Sequence, residues 1–468
     1  MRKQYSLDGK WELVLDPKDE GILGKWYYKD NAPPGIPVEV PSVWDIWVPD
    51  YDGVGWYFKE FSFSDDLQEK VWEICFEAAD YYAECWLNGR YLGDHEGGYT
   101  PFRLLATDAL KIGKNLLAVR VVDPHGTEGY KHFIPKQIPC SKEHGYFTFA
   151  GLWGSVNLAG KNRDHISDVF VMPDIYRKQI NVQVTTDSSH PIRFRIRGTS
   201  HETLGKAGKV LIPFPDAEFW SPETPVLYEL EATLLQEDKT VDELCVRFGM
   251  RDFTVKDKKF YLNNRPIFVK GVLHQPDYPL TLVAPISCEQ ARNEMELAKK
   301  AGFNMVRLHI KTAPRITLDI CDEIGLMVYE EPPIGWIQNS PYLRERCLRE
   351  VREMILRDRN HPSVVIWGML NESGNAGYVV KGGAQLVKDE LCQLARSLDP
   401  TRVVIDDSGG TNATREPARV MRPYKNTLEE YEDLHIYQRA PVDEEIHAYY
   451  RFNGDENFLY FLSEFGFG

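Results

Sequence analysis

The sequence predicts a multidomain protein in which two β-sandwiches precede a (β/α) barrel. Three observations predict it. Up to about residue 160, and again from about 164 to 252, short alternating strands are punctuated by Gly, Pro and Asn. After about Lys256 the rhythm changes to strands separated by helical segments, as in a parallel sheet. A chain of 468 residues also exceeds what one ordinary core holds.

The elements follow in order. Val71–Phe76 alternates apolar and polar residues, as a half-buried strand does, and Ala83–Leu87 runs into the hairpin turn Asn88-Gly89. Gly97-Gly98-Tyr-Thr-Pro101 is a further turn, and Asn115–Val122 another strand. This stretch, residues 1–162, is expected to form a jelly-roll-like β-sandwich. Asn181–Thr185, Ile192–Arg197 and Leu227–Thr233 alternate too, so residues 163–253 suit an immunoglobulin-like sandwich. Residues 254–468 are assigned to a (β/α)8 barrel, with strands at 267–273, 305–309, 326–331, 364–371, 402–406, 433–437 and 458–464. Ala291, Met295, Ala298 and Leu343, Cys347, Val351, Ile355 recur at helical spacing between them. The run Val364–Leu370 is almost wholly apolar, as a strand covered on both faces must be. Seven strand–helix units are one short of a closed ring, and the roughly 210 residues from 260 onward fall below the usual ~250. A barrel incomplete after its seventh strand is therefore expected.

Composition narrows the function. The formal net charge of −15 repels phosphate backbones and anionic lipid heads, so neither nucleic acid nor membrane is an expected partner. The sequence opens without an apolar signal core, which points to a cytoplasmic protein or one trimmed of its signal. The eight cysteines form no CxxC and no paired framework. Cys140 and His144 lack further ligands nearby, so no metal and no cofactor are expected. Homo-oligomerisation is compatible with an acidic chain of this kind but is not legible.

Barrel enzymes gather their catalytic residues at the carboxyl ends of strands. Cleaving a glycosidic bond with retention needs two carboxyl groups about 5–5.5 Å apart there, one a nucleophile and one an acid that later serves as base. Glu372 ends the fourth strand in Trp367-Gly-Met-Leu-Asn371-Glu372, and Glu464 ends the seventh in Tyr460-Phe-Leu-Ser463-Glu464-Phe-Gly466. Strands so spaced lie across an eight-stranded ring from each other. Glu330, Glu331, Asp406 and Asp407 are competing strand-end acids. Trp367, inside a strand, reads as core.

The ordered series Leu7-Asp-Gly9-Lys-Trp11, Trp86-Leu-Asn88-Gly89, Gly97-Gly98-Tyr-Thr-Pro101-Phe102, Gly151-Leu-Trp153, Trp220-Ser-Pro-Glu-Thr-Pro225, Phe248-Gly-Met-Arg251, Leu262-Asn-Asn-Arg-Pro266 and Lys270-Gly271-Val resembles glycoside hydrolase family 2. That family includes β-galactosidases, β-glucuronidases and β-mannosidases. The resemblance implies a retaining exo-β-glycosidase acting on a small glycoside or an oligosaccharide. It makes Glu372 the acid/base and Glu464 the nucleophile. It also implies that Asn371 binds the sugar 2-hydroxyl, that Tyr437 orients the nucleophile, and that Arg307 keeps it ionised. His435, His309 and His274 are expected on the substrate side. The sequence departs from the family pattern at Gly271-Val-Leu-His-Gln-Pro-Asp277, and the histidine that galactosidases use for magnesium has no clear counterpart. A carbohydrate-binding protein with an inactive barrel is the alternative of a different class.

Overall fold

The computed structural model describes residues 2–466 apart from 68–69, 125–130, 132, 140–147, 336, 374–382, 410–417, 422–427, 438–440 and 454–458. The Cys140–His144 pair considered above lies outside the described residues.

The N-terminal region is a sandwich of a four-stranded and a six-stranded sheet. The first runs in the order 3–6, 156–162, 70–76, 102–105, and the second in the order 36–40, 9–15, 53–63, 113–123, 82–87, 90–96. Alternating residues of both sheets meet in a core built on Trp11, Trp44, Trp72, Ile74 and Val119. At the Asn88-Gly89 turn both residues take positive φ, 54° and 81°, as a two-residue hairpin loop requires. A second sandwich follows, with three strands (166–174, 179–186, 208–213) facing four (202–205, 192–196, 228–236, 239–248) over Val169, Val182, Phe194 and Leu230.

Next comes a small antiparallel sheet of strands 253–256, 259–262 and 265–266. Its Phe253, Val255, Phe260 and Leu262 pack with Met305, Met327, Tyr329, Val403 and Ile405, which point into the barrel, so this sheet floors it. The expected first strand at 267–273 is accordingly shorter and later, Gly271–His274.

The barrel sheet has eight strands in ring order: 271–274, 305–308, 327–330, 364–371, 403–408, 418–421, 428–436 and 459–465. The count of seven is corrected by Ala418–Met421, which pairs antiparallel with both neighbours. The other neighbouring pairs are parallel. Among the described residues the first and last strands are not paired with each other.

Helices cover the outside. Cys288–Lys300 is capped by Ser287, whose hydroxyl accepts from the Gln290 N–H at 3.1 Å, and it buries Ala291 and Met295. Arg315–Ile324 ends at Gly325, whose φ of 72° supplies a left-handed cap. Leu343–Asp358 buries Leu343, Cys347, Val351 and Ile355 on one face. No helix among the described residues is long and apolar enough to cross a membrane.

Both sandwiches brace the barrel through motif residues. Arg251 donates to the carbonyls of Pro362, Val364 and Thr401 at 2.9–3.2 Å, tying the second domain to the base of the fourth and fifth strands. The Trp220 indole donates to the Asp322 carbonyl at 2.9 Å. Glu96 of the first domain pairs with Arg346 and Arg349 on helix Leu343–Asp358.

Candidate active site

Alternation along the strands decides which acids reach the interior. On Met305–Leu308, Val306 and Leu308 face the helical layer while Met305 and Arg307 face inward. The same rule separates two neighbouring acids. Glu330 turns outward, accepting from the Ala313 N–H at 3.2 Å beside Arg357. Glu331 turns inward to Arg307. Asp406 meets Lys388 at 3.2 Å. Asp407 is engaged by Ser373 and Gln385, and burial above all pushes its carboxyl up to about 7.

Strand Leu459–Phe465 breaks the alternation once. Leu459 and Phe461 pack into the barrel interior, so strict alternation would put Glu464 outside. However, Leu434 pairs with Leu462 whereas His435 pairs with Glu464, which leaves Ser463 as an extra residue. This bulge re-aims the chain so that Ser463 and Glu464 both face the interior.

Glu464 is closely held. Arg307 Nη1 donates to its Oε1 at 2.6 Å, the Tyr437 hydroxyl donates to Oε2, and His309 Nε2 lies 3.4 Å from Oε1. Burial alone would raise its pKa. Arg307, His435, His309 and Tyr437 together outweigh it, Arg307 most strongly, and leave the carboxyl at about 2. Arg307 is itself buried and ties the walls together, donating to Glu331 at 2.8 Å and to Asn371 Oδ1 at 2.6 Å while lying over the Tyr329 ring. His309 accepts from Gln275 at Nδ1, at 3.2 Å, which leaves its Nε2–H facing Glu464. Burial, then Arg307, hold this imidazole neutral, with a pKa of about 3. Burial and the bond to Glu464 keep the Tyr437 phenol protonated.

Glu372 is held differently. It sits just past its strand with φ of 49°, a left-handed conformation uncommon for a residue with a side chain, and its N–H donates to the Ser408 carbonyl at 2.8 Å. Its Oε1 lies 2.7 Å from His435 Nδ1. Carboxylate oxygens of Glu372 and Glu464 and a ring nitrogen of His435 all lie within 4.8 Å of one another. Such a trio could in principle ligate a cation, but these donors are already engaged with Arg307, Tyr437 and each other.

Of the residues singled out in the sequence, Glu372, Glu464, Asn371, Arg307, Tyr437, His435 and His309 come together here. His274 does not join them: its Nε2 lies 3.4 Å from Glu294, which also takes the Tyr278 hydroxyl at 3.0 Å. His435 is turned against Glu372 and buried, and Trp367 is buried with its indole on Asp399. Sequence reasoning passed over Gln275, Ser408, Asp433 and Ser463. Only Ser463 carried a local signal, as the neighbour of Glu464.

A cavity of about 1360 Å³ runs along the seam between Gly271–His274 and Leu459–Phe465, which are not paired with each other among the described residues, lined by Phe268, Val272 and Phe461 as well as by Arg307, Tyr437 and Glu464. A barrel presenting two glutamates across its interior, one ion-paired and one against an imidazole, defines a carboxylate-pair site of the kind used on glycosidic bonds. Comparison with known proteins gives the family. Residues 4–162 match the sugar binding domain of glycosyl hydrolases family 2, residues 164–251 the family's central model, and residues 253–453 its TIM barrel domain. The chain belongs to glycosyl hydrolases family 2.

Among its relatives, a β-galactosidase of Thermoanaerobacter pseudethanolicus is 30% identical over 79% of this chain and 50% of its own length. A β-galactosidase of Thermoanaerobacterium thermosulfurigenes is 30% identical over 86% of this chain and 57% of its own. The chain thus spans about half the length of these curated relatives. A β-glucuronidase from Ruminococcus gnavus, solved in complex with D-glucuronic acid, shares the fold with a TM-score of 0.76 at 24% identity, over 86% of this chain and 72% of that one.

Proposed function

We propose that this barrel hydrolyses terminal β-linked glycosides with retention, Glu464 acting as nucleophile and Glu372 as acid/base. One observation carries the reading: oxygens of the two carboxyl groups approach within 4.8 Å, and the one that must attack as an anion is the one paired with Arg307. Inverting enzymes keep their carboxyl groups about 6.5–9.5 Å apart to seat a water between them, so the shorter gap favours direct attack by Glu464. Attack on the anomeric carbon gives a glycosyl ester as Glu372 protonates the departing oxygen. Water then enters from the vacated side, giving its proton to Glu372 as the ester breaks. Asn371 supports the assignment, because its Oδ1 is taken by Arg307 while its buried Nδ2 has no partner among the described residues. That amide is free to bind the sugar 2-hydroxyl, where a hydrogen bond strengthens as positive charge develops.

The relatives named above act on β-galactosides and β-glucuronides, so these two classes head the substrate list. A panel of aryl β-glycosides offered to the full chain tests the activity, with proton NMR recording which anomer appears first. Release of the β-anomer supports retention. Release of the α-anomer overturns it, and sugar binding without turnover favours a carbohydrate-binding role.

A further inference from the structure

We propose that His435 and Glu372 form one acid–base unit, in which His435 is the positioning residue that sets where the unit's proton resides. The inference rests on the glycosidase reading above and deepens it.

Hydrogen-bond direction carries the argument. Asp433 is buried and takes the Ser463 hydroxyl hydrogen on its Oδ1. A serine has one hydrogen to give. The oxygens of Ser408 and Ser463 lie 3.0 Å from each other and each 3.0 Å from His435 Nε2, and Ser463, with its hydrogen committed to Asp433, can only accept from that nitrogen. Nε2 therefore carries a hydrogen. Arg307 Nη1 also lies 3.5 Å from this nitrogen, at the limit of a hydrogen bond, but its short contact is to Glu464 at 2.6 Å. The closer Ser463 contact, whose direction is fixed, decides the tautomer.

With Nε2 occupied, Nδ1 is the nitrogen left to gain or lose a proton. It faces Glu372 Oε1 at 2.7 Å, with Glu464 Oε2 3.6 Å away. The ring is also clamped. Gly409, at φ of 68°, lies so close that a Cβ there would come within 2.5 Å of the imidazole. At the 2.7 Å between Nδ1 and Glu372, one hydrogen can be shared between the ring nitrogen and the carboxyl oxygen.

The chemistry balances on the pair. In the first half-reaction it gives one proton to the glycosidic oxygen, which leaves with the bonding electrons as a Glu464 oxygen bonds the anomeric carbon. The Nδ1 lone pair then faces the Glu372 carboxylate, and the pair is ready to take a proton back. In the second half-reaction the pair takes one proton from water, whose oxygen bonds the anomeric carbon as the Glu464 ester breaks.

Two measurements on the full chain test this. In the first, His435→Gln is compared with wild type on aryl glycosides of graded leaving-group ability. Dinitrophenyl glycosides need little protonation to depart, whereas methoxyphenyl glycosides need it fully. The expected result is a loss in kcat/KM on methoxyphenyl substrates at least about tenfold greater than on dinitrophenyl substrates. Equal losses on both would mean that His435 only supports the fold, and would overturn the proposal. The second measurement needs no turnover. In nitrogen-15 imidazole spectra, the His435 signals are those that vanish in His435→Gln. Nε2 should stay protonated across the pH titration while Nδ1 responds, and Glu372→Gln should shift the Nδ1 signal alone. A permanently protonated Nδ1, or indifference to Glu372→Gln, overturns the pairing. If the glycoside panel gives no hydrolysis while the spectra behave as expected, the function reading fails and the coupling stands.

Discussion

The two walls of the site treat their glutamates in opposite ways. Glu464 is surrounded by donors: a guanidinium, a phenol and an imidazole N–H converge on it, and its carboxyl is held at about 2 despite being largely buried. Glu372, across less than 4.8 Å, has no guanidinium contact among the described residues and leans on one histidine from a left-handed backbone position. A group that must attack as an anion needs fixed donors that favour its charge. A group that must give and later take a proton needs a partner that can do the same. The difference in surroundings, more than the identity of the residue, is what separates the two roles proposed for them.

Experiments can break this contrast, starting with the largest expected effect. Glu464→Gln keeps the shape and hydrogen-bonding capacity but removes the nucleophile, so kcat/KM on any cleaved glycoside should fall by on the order of 10⁴-fold or more. Full activity in that variant would end the assignment.

Arg307→Gln should come next, at about 10²–10³-fold, since it removes the charge that stabilises Glu464 and the donor that ties Asn371 and Glu331 to it. It should also destabilise the fold by about 3–5 kcal/mol in urea titrations, because two carboxylates would be left buried without their cation. The sign of its pH effect is fixed. Arg307 is the strongest influence lowering the Glu464 pKa, so losing it raises that pKa from about 2, and the acid limb of the pH–rate profile moves toward neutrality.

Tyr437→Phe removes one charge-assisted hydrogen bond and should cost about 2 kcal/mol, roughly thirtyfold in kcat. KM should change less, because that bond braces the nucleophile.

The smallest effect belongs to a residue remote from both walls. Glu350 is buried where the first sandwich meets helix Leu343–Asp358, and one of its oxygens has no partner among the described residues. Burial first, then Glu353, Glu96 and Asp80, raise its pKa against the opposing pull of Arg349. A folded-state pKa raised in this way favours the folded chain below the unfolded carboxylate value of about 4.3 and loses that contribution as pH rises through the folded value. Glu350→Gln should therefore stabilise the protein near neutral pH by about 1–2 kcal/mol and flatten the pH dependence of its urea midpoint, with turnover unchanged. A midpoint that falls instead would contradict the raised pKa of this carboxyl.

Much of the architecture is written locally. Alternation over Val71–Phe76, helical spacing over Leu343–Ile355 and the apolar run Val364–Leu370 are each set by neighbours in the chain, and the structure has them as a strand, a helix and a strand. The two glutamates were legible because both close apolar strands. Other features depend on partners far away in sequence. Ala418–Met421 is four residues long, without a periodicity of its own, and is a strand only through its antiparallel neighbours. His435 meets Glu372 across 63 positions and reads from sequence only as one more histidine near a strand end. Glu330 and Glu331 are equivalent acids on paper. Their opposite directions follow from strand alternation, once the neighbouring residues Val328 and Tyr329 are known to face outside and inside.

The extra residue at Ser463 changes how related sequences should be aligned and edited. Removing one residue between Leu459 and Ser463 leaves the Ser-Glu-Phe-Gly letters intact and keeps Glu464 opposite His435 and facing inward, yet restores regular pairing and turns Ser463 outward, away from His435 and Asp433. A variant or homologue can therefore carry both glutamates and the Ser-Glu-Phe-Gly letters and still lose the serine contact to His435, and the place to look for the lesion is a gap of one, upstream of the motif. Libraries built by substitution alone would never sample that change.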